Sequence, residues 1–120
     1  MTDRELLESA ARAAGYTLHI WGAKGAECVS RMDTLRPTRW NPLEDDGDAL
    51  RLAVKLQLTV CNEHVNAGQV YCMRGDEAFP SVESGTICDG PVANHVIPED
   101  YAATRRAITR AAAAIGEKVK

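Results

Sequence analysis

Trp40-Asn41-Pro42-Leu43-Glu44-Asp45-Asp46-Gly47-Asp48-Ala49-Leu50-Arg51-Leu52-Ala53-Val54-Lys55-Leu56-Gln57-Leu58 lies mid-chain, between β-like stretches on either side. It passes from a tryptophan through a proline-containing acidic turn into a periodic apolar run, the pattern of a helix start followed by a buried helix. Pro42 restricts Asn41 to extended geometry, and Asp45 or Asp46 is placed to accept hydrogen bonds from the opening amides of a helix running to about Lys55. Glu44, Asp45, Asp46 and Asp48 crowd the end where a helix carries partial positive charge, which accounts for the acidic run. A calcium loop would need ligands at fixed offsets and a closing glutamate, and that order is missing. Inside the helix, Leu50, Ala53 and Val54 form one apolar face that Ala49, Leu52 and Leu56 widen, leaving Arg51 and Lys55 as the main polar edge. So wide an arc predicts burial on several sides, against a sheet and another helix. Trp40, Pro42, Asp45, Asp46, Leu50 and Val54 are therefore read as structural residues, with Trp40 anchoring the turn.

Toward the N-terminus, Leu6, Leu7, Ala10, Ala11 and Ala14 trace a helical stripe over Arg4 to Ala14, opened by Thr2 or Asp3 and closed by Gly15. Tyr16 to Trp21 alternates as a strand, Gly22 to Gly25 supplies a turn, and Ala26 to Arg31 returns, giving a hairpin. Met32 to Arg39 reads as a polar linker in which Pro37 argues against a central strand. Toward the C-terminus, Leu56 to Cys61 and Gln69 to Arg74 form a second hairpin turned at Asn66 or Gly68. Residues 75–98 are broken by glycine and proline; Val82 to Cys88 is read either as a short edge strand or as cover for one sheet face. That irregular segment is also the favoured place for a binding loop. Pro98-Glu99-Asp100 opens a last helix from about Tyr101 to Ile115, stopped by Gly116. Its inner stripe is read as Tyr101, Thr104, Ile108, Ala111 or Ala112, and Ile115. The expected architecture is α+β: an antiparallel sheet of about four strands in two hairpins packed with three helices, in the order α-β-β-α-β-β-α. One compact domain spans residues 1–120.

Composition supports a folded chain and narrows its partners. With 45% hydrophobic and 26% charged residues over 120 positions, the chain has the balance of a globular domain able to bury one core. A formal charge of -3 gives no global attraction to nucleic acid or to an anionic membrane. No run approaches the length of a membrane span, and the charged start Met1-Thr2-Asp3-Arg4-Glu5 leads into a helix pattern, so a cytoplasmic protein is expected.

Four cysteines, Cys28, Cys61, Cys72 and Cys88, are read chiefly as reduced thiols, with Cys28 and Cys72 buried as small hydrophobes. Cys61 and His64 have the separation of paired metal ligands. Cys72 with Cys88 or Cys28 would complete a zinc set, which keeps a zinc-stabilised domain as an alternative. No nucleophile elbow, histidine pair or dinucleotide fingerprint is present, so neither an enzyme nor a cofactor is expected. Arg105, Arg106 and Arg110 make the last helix locally basic. A solvated face explains them best, and contact with an acidic protein or with nucleic acid is the alternative.

Trp40-Asn41-Pro42-Leu43 with Asp45-Asp46, the helix Asp48-Ala49-Leu50-Arg51-Leu52-Ala53, and the closing Tyr101-Ala102-Ala103-Thr104-Arg105-Arg106-Ala107-Ile108-Thr109-Arg110-Ala111-Ala112-Ala113 together resemble small bacteriophage and prophage proteins with the phage "ABA sandwich" domain. The resemblance covers about two-thirds of the chain, and the cysteine-bearing hairpin and the Gly/Pro segment depart from it. It implies helices around an antiparallel sheet and a phage accessory role, and it carries over no catalytic or binding residues. The function expected is a non-enzymatic protein-binding module acting on a host or defence protein, with a homodimer if Trp21 or the outer edge of the last helix is exposed.

Overall fold

The computed structural model describes residues 2–21, 26–30, 38–63, 68–83 and 98–119. In chain order these form α1 (Asp3–Ala14), β1 (Thr17–Trp21), β2 (Ala26–Ser30), β3 (Thr38–Arg39), α2 (Asp46–Lys55), β4 (Thr59–Glu63), β5 (Gln69–Arg74), β6 (Glu77–Ala78), β7 (Val82–Glu83) and α3 (Pro98–Glu117). The α+β class, the two antiparallel hairpins and the three helices are those the sequence predicts. Among the described residues the hairpins build two sheets, β1-β2-β3 and a second in which β5 pairs β4 on one edge and both β6 and β7 on the other. Thr38–Arg39, expected to belong to a linker, pairs with β2 at the edge of the first sheet; of the two readings of Val82 to Cys88, Val82–Glu83 takes the edge strand, pairing β5 in the second sheet, and residues 84–88 lie outside the described residues.

Local chemistry sets the boundaries. The Thr2 hydroxyl accepts the Glu5 amide at 3.2 Å while the Glu5 carboxylate accepts the Thr2 amide at 3.3 Å, a reciprocal cap on α1. Those bonds from Thr2 hold the Glu5 carboxyl below its ordinary pKa. Gly15, with φ at 78°, turns the chain out of α1 in the left-handed region that glycine tolerates. At α2, Asp45 caps the start by accepting the Asp48 amide at 2.8 Å. Asp48 then reaches back from the helix: its carboxylate accepts the Asn41 amide at 3.0 Å and Arg51 Nη2 at 2.8 Å. The hydrogen bond to Asp48 raises the Arg51 pKa. This buried carboxylate ties the Trp40–Pro42 corner to the helix that follows it, and Asn41 Oδ1 closes the turn by accepting the Leu43 amide at 3.0 Å. Trp40 is buried as expected and Pro42 is buried beside it in sequence, with the Trp40 ring 5.9 Å from Tyr16 in an edge-to-face contact.

Two expectations for the helices need correction. α2 buries Asp48, Ala49, Leu52, Ala53 and Leu56, whereas Leu50 and Val54 stand 64% and 69% exposed. The buried arc is centred on Leu52, so Leu50 and Val54 belong to the opposite side with Arg51. β4 begins only at Thr59, because Leu56 caps α2 and Gln57 takes a φ of 57°. The last helix also does not stop at Gly116. It runs from Pro98 to Glu117 and buries Gly116, with Tyr101 54% exposed rather than inward and Ala103, Ala107, Ile108, Ala111, Ala112 and Ile115 facing the core.

Alanine and glycine dominate that inner face because α1 lies directly against it. Asp3 pairs with Arg106 at 3.0 Å, and Ser9 donates to Glu117 at 2.6 Å, so the two helices run in the same direction. Arg12 adds a bond to the Gly116 carbonyl at 3.3 Å. A Cβ on Gly116 would fall on the Ser9 carbonyl group, 2.7 Å from its carbon. On its other sides α3 meets α2 and the inner face of β5, where Val70 and Cys72 are fully buried. No helix among the described residues is long and apolar enough to cross a membrane.

Gly116→Ala provides a test whose sign is informative. At an open helical site the change stabilises by about 1 kcal/mol, while overpacking against backbone costs about 1–3 kcal/mol. Urea unfolding should show Gly116→Ala destabilised by at least about 1 kcal/mol, and a stabilised variant would show that α1 does not pack there.

Candidate functional site

A depression lies between α2, β4 and the first half of α3. This open groove has a volume of about 530 Å³ and is lined by Asp46, Ala49, Leu50 and Ala53 of α2, Val60 and Asn62 of β4, and Asp100, Tyr101, Thr104, Arg105 and Ile108 of α3. Its origin is a matter of residue size. Ala49 and Ala53 are too short to fill the angle between α2 and α3, and the larger Leu50 and Tyr101 rise at its edges instead of closing it.

Polar groups at the rim are tied down. Arg105 Nε donates to the Leu43 carbonyl at 2.9 Å and Nη1 to Asp46 at 2.7 Å, and its side chain is only 19% exposed. This ion pair stitches the start of α2 to the second turn of α3. The Thr104 hydroxyl lies 2.9 Å from the Asp100 carbonyl and 3.2 Å from Asn62 Oδ1, joining α3 to β4. The groove thus combines rigid polar edges with an apolar floor, the composition of a site that recognises apolar surface and orients it with few polar contacts.

The residues singled out in the sequence are distributed differently. Arg105, Arg106 and Arg110 do not form a common solvated face: Arg105 belongs to the groove rim, Arg106 bridges to Asp3 at 3.0 Å, and Arg110 is exposed beside a smaller hollow lined by Leu6, Pro80 and Ala113. Asp45 and Asp46 do open α2 as expected, Asp46 also serving as the partner of Arg105. Ile108 is buried and floors the groove.

Of the metal candidates, His64 and Cys88 lie outside the described residues, and only the backbone of Cys28 is described. Cys61 and Cys72 occupy opposite faces of the second sheet, because Cys61 stands across from Tyr71 and Val60 across from Cys72. Cys72 is fully buried in the core. Burial, and then the nearby Cys61, pushes its thiol up to about 11. On the outer face, a hydrogen bond to Cys61, followed by the charges of Cys61 and Glu63, raises the Tyr71 pKa. Among the described residues no three His, Cys, Asp or Glu side chains gather in a metal-binding group.

The groove itself was not legible in the sequence. Its signal was the conflict within α2, where Leu50 and Val54 share an arc with Arg51 and Lys55 and so could not belong to the same buried face as Leu52 and Leu56. No protein-family model, curated protein or solved structure matches this chain.

The two cysteines should separate chemically. In the folded protein at pH 8, iodoacetamide should modify Cys61 while Cys72 stays unmodified until denaturant is added, as read by peptide mass mapping. The raised Cys72 pKa also gives a pH dependence. The unfolded chain releases this proton near pH 9 and the folded chain near 11, so the associated stability is present below pH 9 and is lost as pH rises toward 11. Equal labelling of both thiols in the folded state would contradict the burial of Cys72.

Proposed function

We propose that this chain is a non-enzymatic protein-binding module whose contact face is the α2–α3 groove together with the ridge formed by Leu50 and Val54. The observation that carries this reading is the clustering of exposed apolar surface. Leu50, Val54 and Tyr101 are three of the four large apolar side chains that the described residues leave exposed; Leu50 and Tyr101 line one concave, apolar-floored site, and Val54 follows one turn after Leu50 on α2. Scattered exposed apolar residues are ordinary, but a cluster around a groove marks a recognition surface. A groove between two helices with protruding apolar edges suits an amphipathic segment of another protein, laid in by its apolar side.

The biological setting is proposed from the resemblance of the Trp40 corner, the α2 sequence and the α3 sequence to the phage "ABA sandwich" proteins. In that setting the chain is a phage accessory protein acting on a host or defence protein in the host cytoplasm. Zinc and nucleic acid have less support, since Cys61 and Cys72 face apart and two of the three arginines are held in ion pairs within the molecule.

Leu50→Asp tests the contact face. The side chain is exposed, so thermal unfolding should be unchanged to within about 0.5 kcal/mol. Retention of a client from bacterial lysate on the immobilised protein should fall at least ten-fold, the scale expected for loss of a central apolar anchor. Equal retention by both proteins would place recognition elsewhere.

A further inference from the structure

Gln57 is the one residue other than glycine that takes a positive φ among the described residues; Gly15, Gly68 and Gly75 are of the type that this region tolerates. It follows the Leu56 cap of α2, where the chain leaves the helix for β4. The Gln57 amide donates to the Val54 carbonyl at 3.1 Å and the Leu58 amide to the Ala53 carbonyl at 2.9 Å, a helix ending that ordinarily takes glycine. A Cβ in this conformation crowds the backbone. The Gln57 side chain is exposed and makes no hydrogen bond among the described residues that would offset the strain.

The two ends of α2 are held unequally. At its start, Arg105 grips Asp46 and the Leu43 carbonyl, and Asp48 binds the Asn41 amide. Farther along, Ala53 faces the open groove, and Leu52 and Leu56 supply most of the buried surface. Among the described residues, the charged contact from this half to another element is Lys55 Nζ, 4.6 Å from the centre of the exposed-edge Tyr16 ring. A movement of this end relative to β4 has to turn at residues 56–58, and leaving the left-handed region there relieves strain.

We propose that the second half of α2 is a releasable wall of the groove. In rare excursions it lifts from α3 about its clamped start, Gln57 leaves the left-handed region, and the floor at Ala53 becomes accessible. The strain at Gln57 favours the open form, so the residue at this position sets how often the groove widens.

Native-state hydrogen exchange of the full chain tests this on the amides of Leu52, Ala53 and Val54. These should exchange through an opening less costly than global unfolding. Gln57→Gly, which removes the strain, should slow them about two- to five-fold. Gln57→Ala keeps a Cβ in the same conformation and should leave them at the wild-type rate. In Ala53→Cys, iodoacetamide labelling of the new thiol, located by peptide mass mapping, should slow by the same factor when Gln57→Gly is added. Circular dichroism confirms that each variant is folded. Exchange of these amides only through global unfolding overturns the proposal, as do rates unmoved by Gln57→Gly or slowed equally by Gln57→Ala. Labelling at Ala53→Cys that is indifferent to Gln57→Gly overturns it too, because the opening then does not reach the floor.

Discussion

The close approach of α1 to α3 governs how the other elements pack. Gly116 places bare backbone against the Ser9 carbonyl, and the alanines on the inner face of α3 extend that closeness along the helix. Small residues at a helix contact lower the interaxial distance, and the gain is dense packing of backbone and methyl groups rather than the burial of large side chains. With only six aromatic residues in the chain, the core has few bulky groups to space its helices. The Ser9–Glu117, Arg12–Gly116 and Asp3–Arg106 contacts fix the relative register of the two helices.

Because α1 occupies one side of α3 and β5 another, α2 meets α3 along a narrow margin. Asp48 determines how α2 arrives there: its carboxylate binds the Asn41 amide and Arg51, while Arg105 grips Asp46 and the Leu43 carbonyl from α3. The corner is held by directed polar bonds at its start, and the alanines farther along leave an open angle. The site is therefore a consequence of the fold's economy in side-chain volume, and its walls are rigid because the elements that form them are fixed elsewhere.

Much of the architecture was legible because it is encoded locally. A cap at Thr2 or Asp3, the stop of α1 at Gly15, a cap at Asp45 or Asp46, the end of α2 at Lys55 and the limits of β5 at Gln69 and Arg74 follow from capping chemistry and alternation, while the choice of Thr2 with Glu5 and of Asp45 is the structure's. Gly116 misled for a physical reason. A glycine near a helix end signals termination, but it equally permits backbone contact, and the choice depends on a partner more than a hundred residues away. Leu50 and Val54 misled likewise: α2 carries more apolar residues than its buried arc accommodates, and periodicity alone does not say which of two apolar arcs stays open. The placement of Asp48 in the core was equally hidden, since its bond to Asn41 depends on how the corner folds back.

On this packing, α1 and α3 form one cooperative unit to which α2 and the groove are attached. Native-state hydrogen exchange tests it most directly. Amides in the middle of both helices, such as those of Ala10, Ala11, Ala111 and Ala112, should share the highest protection and exchange with the free energy of global unfolding, while α2 opens at a lower one. If the α3 amides exchange well below the α1 amides or below global unfolding, the two helices do not stand as a unit.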